Sequence, residues 1–308
     1  MKLSIVMSTY NGQKYILEQL ESLRLQKRQA DEVLIFDDGS TDETVQIITT
    51  YIEEHGLNTW NLTINPQNKG WRRNFMEGMW QSTGDLVFTC DQDDIWREDK
   101  LEIMEKIMSN HSEISLLVSN YEEFFENGKS RIGYRKNTKH LEKVELKNNY
   151  LLVQNPGCTH CIRRSLLDIS KRYWQPHFAH DALLWRLAIF ADSLYVYTDS
   201  LIKWRNHKTS AFAKESKDLK TVKEKKKWIE SAQNFNDTLK AYLAKDVSGN
   251  KENQLSVLRR NDNWLNIRRK FYCTKNPFIG LRLVTYWDCF PRYRQYLGEW
   301  YLIYIKRR

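Results

Sequence analysis

The stretch LSIVMSTYNG, residues 3–12, decides how the chain begins to fold. Leu3 to Thr9 form a largely apolar run with the length of a buried strand, and Asn11-Gly12 is a turn signal. Apolar residues then recur at helical spacing at Ile16, Leu20 and Leu23. The chain is therefore expected to open with a strand, a turn and a helix.

The same alternation continues downstream. Further strand-like runs lie at Glu32–Phe36, Leu62–Ile64 and Leu86–Cys90. Between the strands, Ser40 and Glu43 have capping-box spacing at the start of a helix, and residues 71–82 form another helical segment. Strands that alternate with helices predict an α/β fold with a mainly parallel sheet.

Acidic residues directly follow two of these strands. Asp37 and Asp38 follow one, and Asp91, Asp93 and Asp94 follow another. Because ligands of parallel sheets bind beyond the carboxyl ends of the strands, both clusters are expected to line one crevice. Clustered carboxylates raise one another's pKa. Mg²⁺ relieves the repulsion by binding one or two carboxylates together with substrate phosphate oxygens, which favours a nucleoside diphosphate substrate. The alternative is that the last two carboxylates cap a helix just downstream.

The periodic pattern weakens beyond residue 120. Asn127–Lys139 is polar and is predicted to be a loop. Ser165–Tyr173 and Asp181–Ala191 are predicted helices, and Leu194–Tyr197 is a predicted short strand. From about residue 206 the chain is expected to be helical, with apolar residues at helical spacing at Trp228, Phe235, Leu239 and Leu243.

Composition narrows the class of protein. The chain has 308 residues with 12 Gly and 5 Pro, which excludes a collagen-like or low-complexity protein. No apolar stretch has the length of a membrane-spanning helix, and the N-terminus lacks a signal-peptide pattern. The 5 cysteines are scattered, which favours a reducing cytoplasm. Within Cys158-x-x-Cys161, buried thiols are favoured over a zinc or redox site because no second such pair follows.

Charge is distributed unevenly along the chain. Residues 201–308 hold 25 basic and 10 acidic residues, whereas the rest holds 23 basic and 29 acidic residues. The segment 286–308 interleaves Tyr, Trp and Phe with basic residues that include Arg307 and Arg308. This composition indicates peripheral contact with the inner membrane leaflet; a homodimer interface and simple packing are the alternatives. Nucleic acid is not expected as a partner, since no zinc-finger or RNA-recognition signature is present.

The ordered motifs of residues 1–105 resemble those of the inverting glycosyltransferases of family 2, which have the GT-A fold. The matching motifs are Ser4–Gly12, Asp37–Asp42, Asn68-Lys69-Gly70, Gly84-Asp85 and Asp91–Asp94. Further matches are Asn155–Thr159, His180-Asp181 and Arg205-Asn206-His207. This arrangement is most similar to bacterial rhamnosyltransferases that build cell-wall polysaccharides, although Trp204 stands where those enzymes usually have Tyr.

The resemblance implies a Rossmann-like GT-A catalytic domain over residues 1–207, with a nucleotide-sugar half (1–105) and an acceptor half (106–207). A basic, aromatic-rich helical region follows at 208–308. The implied nucleotide-binding residues are Ser8, Tyr10, Asp38, Asn68 and Asp91. Of these, Tyr10 would stack on the base, Asp38 would accept the N3–H of uracil or thymine, and Asp91 would hold the ribose side.

The same resemblance implies the catalytic groups. Asp93 and His207 would bind Mg²⁺ or Mn²⁺, with Asp94 in support. Asp181 would be the general base, His180 would form a dyad with it, and Arg205 would help to close the donor site. A plain helix N-cap is the alternative for Asp181.

The implied reaction is inverting transfer of a sugar, with rhamnose from dTDP-rhamnose favoured, to a lipid-linked cell-wall or capsular polysaccharide on the cytoplasmic face of the membrane. A UDP-hexose donor is the alternative. A sugar nucleotidyltransferase is more remote, because the turn Tyr10–Gln13 lacks the glycines and Arg that bind triphosphate.

Overall fold

The computed structural model describes residues 1–207 and 221–306. Arg307, Arg308 and residues 214–220 of the basic run lie outside this range. The chain divides into two compact units. The first comprises Met1–Val144, Gln154–Ala188 and Ser193–Asn206; the second comprises Glu145–Val153, Ile189–Asp192 and the described part of His207–Arg308.

Ten strands of the described residues form one mixed sheet in the first unit. They are β1 (Leu3–Thr9), β2 (Glu32–Asp37), β3 (Trp60–Ile64), β4 (Leu86–Asp91), β5 (Ile95–Trp96), β6 (Leu116–Phe125), β7 (Ser130–Ile132), β8 (Leu141–Lys143), β9 (His160–Arg163) and β10 (Leu194–Asn206). The order is β3-β2-β1-β4-β9-β6-β10-β5, with β7 beside β6 and β8 beside β10.

The described helices are α1 (Ile16–Arg24), α2 (Thr44–Glu54), α3 (Trp71–Gln81), α4 (Lys100–Asn110), α5 (Arg164–Ser170), α6 (His180–Phe190), α7 (Val222–Lys245), α8 (Glu252–Thr274), α9 (Pro277–Arg282) and α10 (Arg294–Trp300). The predicted α/β sheet with flanking helices and the predicted helical C-terminal region are thus confirmed.

The parallel half of the sheet positions the acidic motifs. Strand β1 runs parallel to β2 on one side and to β4 on the other. In this register Thr9 lies opposite Asp37, and Ser8 lies opposite Asp91. Both motifs therefore leave the sheet at the edge where β1 ends, which is where a parallel sheet binds ligands.

Two local predictions were wrong. The capping box of Ser40 and Glu43 does not form: the Ser40 hydroxyl donates to Asp37 at 2.6 Å, and α2 begins only at Thr44. The polar segment 127–139 is not entirely a loop, because β7 pairs with β6 inside it. Its three residues are all exposed, so no buried face is visible in the sequence.

The short strand predicted at Leu194–Tyr197 is observed as the first part of a much longer strand, β10 (Leu194–Asn206). Strand β10 continues to Asn206 because its second half also pairs with β6 and, near Ile202, with β5. Register shifts around Ser200 interrupt the alternation of inward and outward side chains. Such irregularities conceal a strand from periodicity analysis.

The second unit is built from α7 to α10. Helix α7 starts with a capping box formed by Thr221 and Glu224. Arg268 of α8 forms a buried ion pair with Glu299 of α10, and its guanidinium lies 4.6 Å from the ring centre of Trp264. Among helices within residues 1–207 and 221–306, none combines the length and hydropathy needed to cross a bilayer.

Gly84, one of the motif residues, lies where the surrounding atoms leave no room for a side chain. A Cβ atom there would lie 2.7 Å from the backbone nitrogen of Ser4 and 2.9 Å from the carbonyl of Leu86. We expect Gly84→Ala to lower the free energy of unfolding by about 1–3 kcal/mol, because the obstructing atoms are partly backbone. Gly298→Ala is the matched control: nothing lies within 4 Å of its Cβ position, and helix propensity should add about 0.5–1 kcal/mol of stability. Urea unfolding of both variants measures the contrast; equal effects would contradict the steric explanation.

Candidate active site

Asp37 shapes the turn after β2 rather than facing a ligand. Its carboxylate accepts hydrogen bonds from the Thr9 hydroxyl at 2.8 Å and from the Ser40 backbone amide at 2.8 Å. The side chain is fully buried. The first Asp of the motif therefore ties the ends of β1 and β2 together, and the second Asp remains the candidate ligand group.

Asp38 organises the loop that contains Asn68. Its carboxylate accepts the backbone amides of Lys69 at 2.8 Å and Gly70 at 2.9 Å, and the side-chain amide of Asn65 at 3.1 Å. A carboxylate offers about four acceptor positions, so one remains for a further donor. Asn68 itself is exposed and accepts from the Gly70 amide at 3.0 Å.

A side-chain network connects this loop to β1. The amide of Asn65 donates to Asn74 at 2.8 Å, and the amide of Asn74 donates to the Ser8 hydroxyl at 2.7 Å. Asn74 lies on α3 and is buried. Ser8 and Asp38 thus share one rigid network. Sequence reasoning missed both asparagines because neither belongs to a recognisable motif.

Gln92 joins the first turn to the carboxylate motif. Its side chain accepts the backbone amide of Tyr10 at 2.8 Å and donates to the Tyr10 carbonyl at 3.1 Å. A side chain at Gly12 would overlap Gln92, so the glycine is needed for this approach. The Tyr10 side chain is 46% exposed, which leaves it available to a base. Gln92 was also missed, since it stood only as the variable position of the motif.

Asp91, Asp94 and Cys158 form the only group of three or more possible metal ligands within residues 1–207 and 221–306. One carboxylate oxygen of each Asp and the Cys158 sulfur all lie within 4.8 Å of one another. Desolvation, followed by the charges of Asp93 and Asp181, raises the pKa of Asp91 to about 7. Burial raises the pKa of Asp94 well above its usual range, and the charges of Asp93 and Asp91 add to the effect.

This cluster fits a hard divalent cation. Asp94 Oδ1 accepts the Arg205 backbone amide at 2.8 Å, whereas its buried Oδ2 has no hydrogen-bond partner in the described part of the chain. Burial keeps Cys158 a neutral thiol by raising its pKa. Two carboxylates beside a neutral thiol suit Mg²⁺ or Mn²⁺ better than zinc. Cys161 is buried and lies outside the cluster.

The capping alternative for the acidic motif does not hold. Helix α4 begins at Lys100, and its N-cap is Asp99 rather than Asp93 or Asp94. Asp93 is partly exposed and acts on both neighbouring carboxyl groups through its charge. Asp93 is not in the group of close ligand atoms, and its role as a metal ligand stays a prediction.

Arg205 braces the motif from β10. Its Nε donates to the Asp93 carbonyl at 2.7 Å, and its guanidinium lies 4.4 Å from the ring centre of Tyr15 and 4.5 Å from that of Phe124. The side chain is therefore engaged with protein groups. His207 begins the long segment of the second unit, and its role as a metal ligand stays a prediction.

Asp181 and His180 open helix α6. Asp181 is the second residue of this helix, so it does not occupy the N-cap. Its charge acts on Asp91, which places the two carboxylates in one electrostatic site. His180 is buried 4.3 Å from the ring centre of Phe75, and burial lowers its pKa, which keeps the imidazole neutral. A side chain at Gly157 would overlap this ring.

Comparison with known proteins gives the family. The sequence pattern of the family described as "Glycosyl transferase family 2" matches residues 4–170. This range includes β1 from Ser4 onward, the Asp38 loop, the Asp91–Asp94 cluster and Cys158. It ends before Asp181.

Two curated relatives have named roles. Poly(ribitol-phosphate) beta-N-acetylglucosaminyltransferase TarS of Staphylococcus aureus is 34% identical over 120 residues, which are 38% of this chain and 21% of TarS. Amylovoran biosynthesis glycosyltransferase AmsE of Erwinia amylovora is 29% identical over 192 residues, which are 59% of this chain and 67% of AmsE. The match to TarS thus spans only about a fifth of that protein.

Solved structures share the fold. Residues 1–349 of S. aureus TarS in complex with UDP-GlcNAc superpose with a TM-score of 0.64 at 20% identity, covering 88% of this chain and 73% of that chain. The mannosyltransferase PcManGT from Pyrobaculum calidifontis, in complex with GDP-Man and Mn²⁺, gives a TM-score of 0.56 at 14% identity, covering 98% and 85%. At these identities the likeness concerns the GT-A fold alone.

Proposed function

Since this chain belongs to glycosyl transferase family 2, we propose that it transfers a sugar from a uridine or thymidine diphosphate donor to a glycan hydroxyl, with inversion at the anomeric carbon. One observation carries the proposal. The charges of Asp93 and Asp181 both act on Asp91, which lies at the edge where β1 and β4 end. A metal-bound diphosphate and a general base are both needed there.

The donor nucleotide binds to the loops that follow β1 and β2 in the first unit. The Tyr10 ring stacks on the base, and the remaining acceptor position of Asp38 takes the N3–H of the pyrimidine. Ser8 and Asn68 border the same pocket, and Asp91 lies on the ribose side. Uracil and thymine carry a hydrogen at N3 whereas cytosine does not, so Asp38 selects the former two.

The displacement needs a base on the acceptor side. Asp181 takes the proton from the acceptor hydroxyl as its oxygen attacks the anomeric carbon. The bond from that carbon to the diphosphate oxygen breaks in the same step, which inverts the configuration. Asp91 and Asp94 would hold Mg²⁺ or Mn²⁺, and the ion would supply positive charge to the departing diphosphate. The neutral His180 fixes the start of α6, and Arg205 fixes the Asp93–Asp94 backbone.

The acceptor is proposed to be a lipid-linked cell-wall, capsular or exopolysaccharide chain. The names of TarS and AmsE, which concern poly(ribitol-phosphate) and amylovoran, support a bacterial surface polymer. Two donors are proposed. The order of motifs favours dTDP-rhamnose, and the TarS complex with UDP-GlcNAc favours that nucleotide sugar.

A ligand series tests the donor site without disturbing the protein. Since Asp38 also holds the amides of Lys69 and Gly70, its replacement would alter the loop as well as the base contact. We expect UDP and dTDP to bind at least about tenfold more tightly than CDP or N3-methyl-UDP, the value of one charged hydrogen bond. Calorimetry with Mn²⁺ measures this.

Donor hydrolysis then separates the sugars. Slow release of dTDP from dTDP-rhamnose alone, or of UDP from UDP-GlcNAc alone, identifies the donor. Equal binding of CDP would overturn the role of Asp38 alone. No binding of any nucleotide would overturn the proposed function.

A further inference from the structure

The C-terminal part of the second unit exposes a row of large apolar side chains. Phe278 and Leu281 lie on α9, and the row continues into the 3₁₀ turn Leu283–Cys289. Its members recur every three residues, a spacing that makes neighbours on a helix surface, and the backbone is kinked at Tyr286, just before the last of them. They are Phe278 (75% exposed), Leu281, Val284 and Trp287 (66% exposed).

Helix α10 and the π-helical segment Tyr301–Lys306 that continues it, together called the terminal helix, carry a second exposed row. Tyr293, Leu297, Tyr301 and Ile305 follow one another at four-residue spacing and are 54–70% exposed, so they share one face. The opposite side of this helix is the packed one, since Glu299, Leu302 and Ile303 are buried. The exposed row is therefore not the face that holds the helix in place. We call the two rows together the C-terminal apolar face.

The charges around this face have one sign. Lys275, Arg282, Arg292 and Arg294 are exposed. Within the described stretch 275–306 there are two acidic residues, and both are engaged internally. Glu299 is buried against Arg268, and Asp288 is ion-paired with Arg260 at 2.7 Å. The exposed charge next to the apolar face is thus positive.

The helices that carry this face pack closely against one another and against α8. Gly280 of α9 has no room for a side chain because Phe271 of α8 and Trp300 of α10 lie against it. Trp300 also stacks on Tyr304, with ring centres 5.5 Å apart. Helices α9 and α10 are thereby held together, whereas the side chains of the C-terminal apolar face remain exposed.

We propose that the C-terminal apolar face binds the surface of an anionic lipid bilayer. Trp and Tyr side chains favour the headgroup region of a membrane, and a helix with an apolar face and flanking cations lies in that interface. A second copy of this chain fits less well, since a two-fold contact would bring exposed cations of both copies together without acidic partners. The proposal concerns this surface alone and does not depend on the sugar donor.

Vesicle sedimentation of the full chain tests the proposal. We expect binding to phosphatidylcholine vesicles that contain 30% phosphatidylglycerol and none to phosphatidylcholine alone. The variant Phe278→Ser/Trp287→Ser/Leu297→Ser should lose at least about tenfold in affinity. The variant Arg282→Glu/Arg292→Glu/Arg294→Glu should lose roughly 100-fold or more at low salt. Tryptophan quenching by brominated lipid, reduced in Trp287→Phe, would report insertion directly.

Matched controls make changes of the same kind and number in the first unit. Leu17→Ser/Leu25→Ser/Tyr134→Ser alters three residues of the first unit with 53–59% exposure. Lys129→Glu/Lys136→Glu/Lys139→Glu alters three exposed cations of that unit by the same charge. Both controls should bind vesicles like the parent protein. The proposal would be overturned if the controls bound vesicles as weakly as the C-terminal variants do, or if the parent protein did not bind vesicles. The proposal would also be overturned if analytical ultracentrifugation showed that the parent protein is a dimer and that only the Phe278→Ser/Trp287→Ser/Leu297→Ser variant is a monomer.

Discussion

Asp181→Asn is expected to lower kcat by about 10²–10⁴-fold, the range that a positioned general base contributes. The amide keeps the size of the side chain and can still accept from the Ala182 backbone amide, which now donates to Asp181 at 2.7 Å. What disappears is the ability to take a proton from the acceptor hydroxyl, together with one of the charges that raise the pKa of Asp91. Donor affinity should stay within about twofold, because Asp181 does not belong to the proposed nucleotide contacts.

Two measurements separate this outcome from a folding defect. Nucleotide binding by calorimetry reports the donor site, and single-turnover transfer reports chemistry. Asp168→Asn on α5 is the matched control: it also removes one carboxylate, which pairs with Lys171 at 3.6 Å on the surface. That control should retain full turnover. Turnover of Asp181→Asn within threefold of the parent would remove Asp181 from its role, and lost nucleotide binding would indicate that it supports the donor site instead.

The parallel half of the sheet was open to prediction because its signals are local. Leu3–Thr9 is observed as a strand with the predicted bounds, and the predicted helix at 71–82 is observed at Trp71–Gln81. Each element shows its own periodicity and ends at its own turn residues. The second half depends on long-range pairing: β6 lies between β9 and β10, which are far away in sequence. No local pattern encodes such neighbours.

The candidate site shows the same division. Asp38 and Asp91 could be found because carboxylates that follow strands have a chemical meaning on their own. Asn74 and Gln92 could not, since their importance comes from the partners that folding provides. Arg205 was singled out as a side chain that closes the site, yet its backbone amide and guanidinium both serve the Asp93–Asp94 turn. Sequence motifs indicate which residues matter more readily than what each one contacts.

Asp94→Asn is expected to weaken Mn²⁺ binding by at least about 100-fold, the upper range for residues that merely support a metal ligand. Asp93→Asn should weaken it less, since Asp93 lies outside the group of close ligand atoms. Isothermal titration with Mn²⁺ and the rise in Tm that Mn²⁺ produces measure both variants. A larger loss in Asp93→Asn would restore the assignment of Asp93 as the ligand and Asp94 as its support.

The pH dependence gives this prediction a second, independent readout. Asp91 has a pKa of about 7 in the folded chain, against 3.8 for an ordinary Asp side chain. Between these values the folded protein holds a proton at Asp91 that the unfolded chain has released, so the stability contributed by Asp91 falls as pH rises from about 4 to 7 and then levels off. The difference between the parent and Asp91→Asn isolates this contribution, because burial lowers the pKa of His160 and His180 and those groups change stability with the opposite sign. Mn²⁺ must displace the same proton, so its affinity should rise over that interval. In Asp93→Asn the interval should end at lower pH, because one of the charges that raise the pKa of Asp91 is gone. A stability difference between the parent and Asp91→Asn that is flat over pH 4–7 without metal would show that Asp91 is ionised throughout and that the cluster carries no repulsion for a cation to relieve.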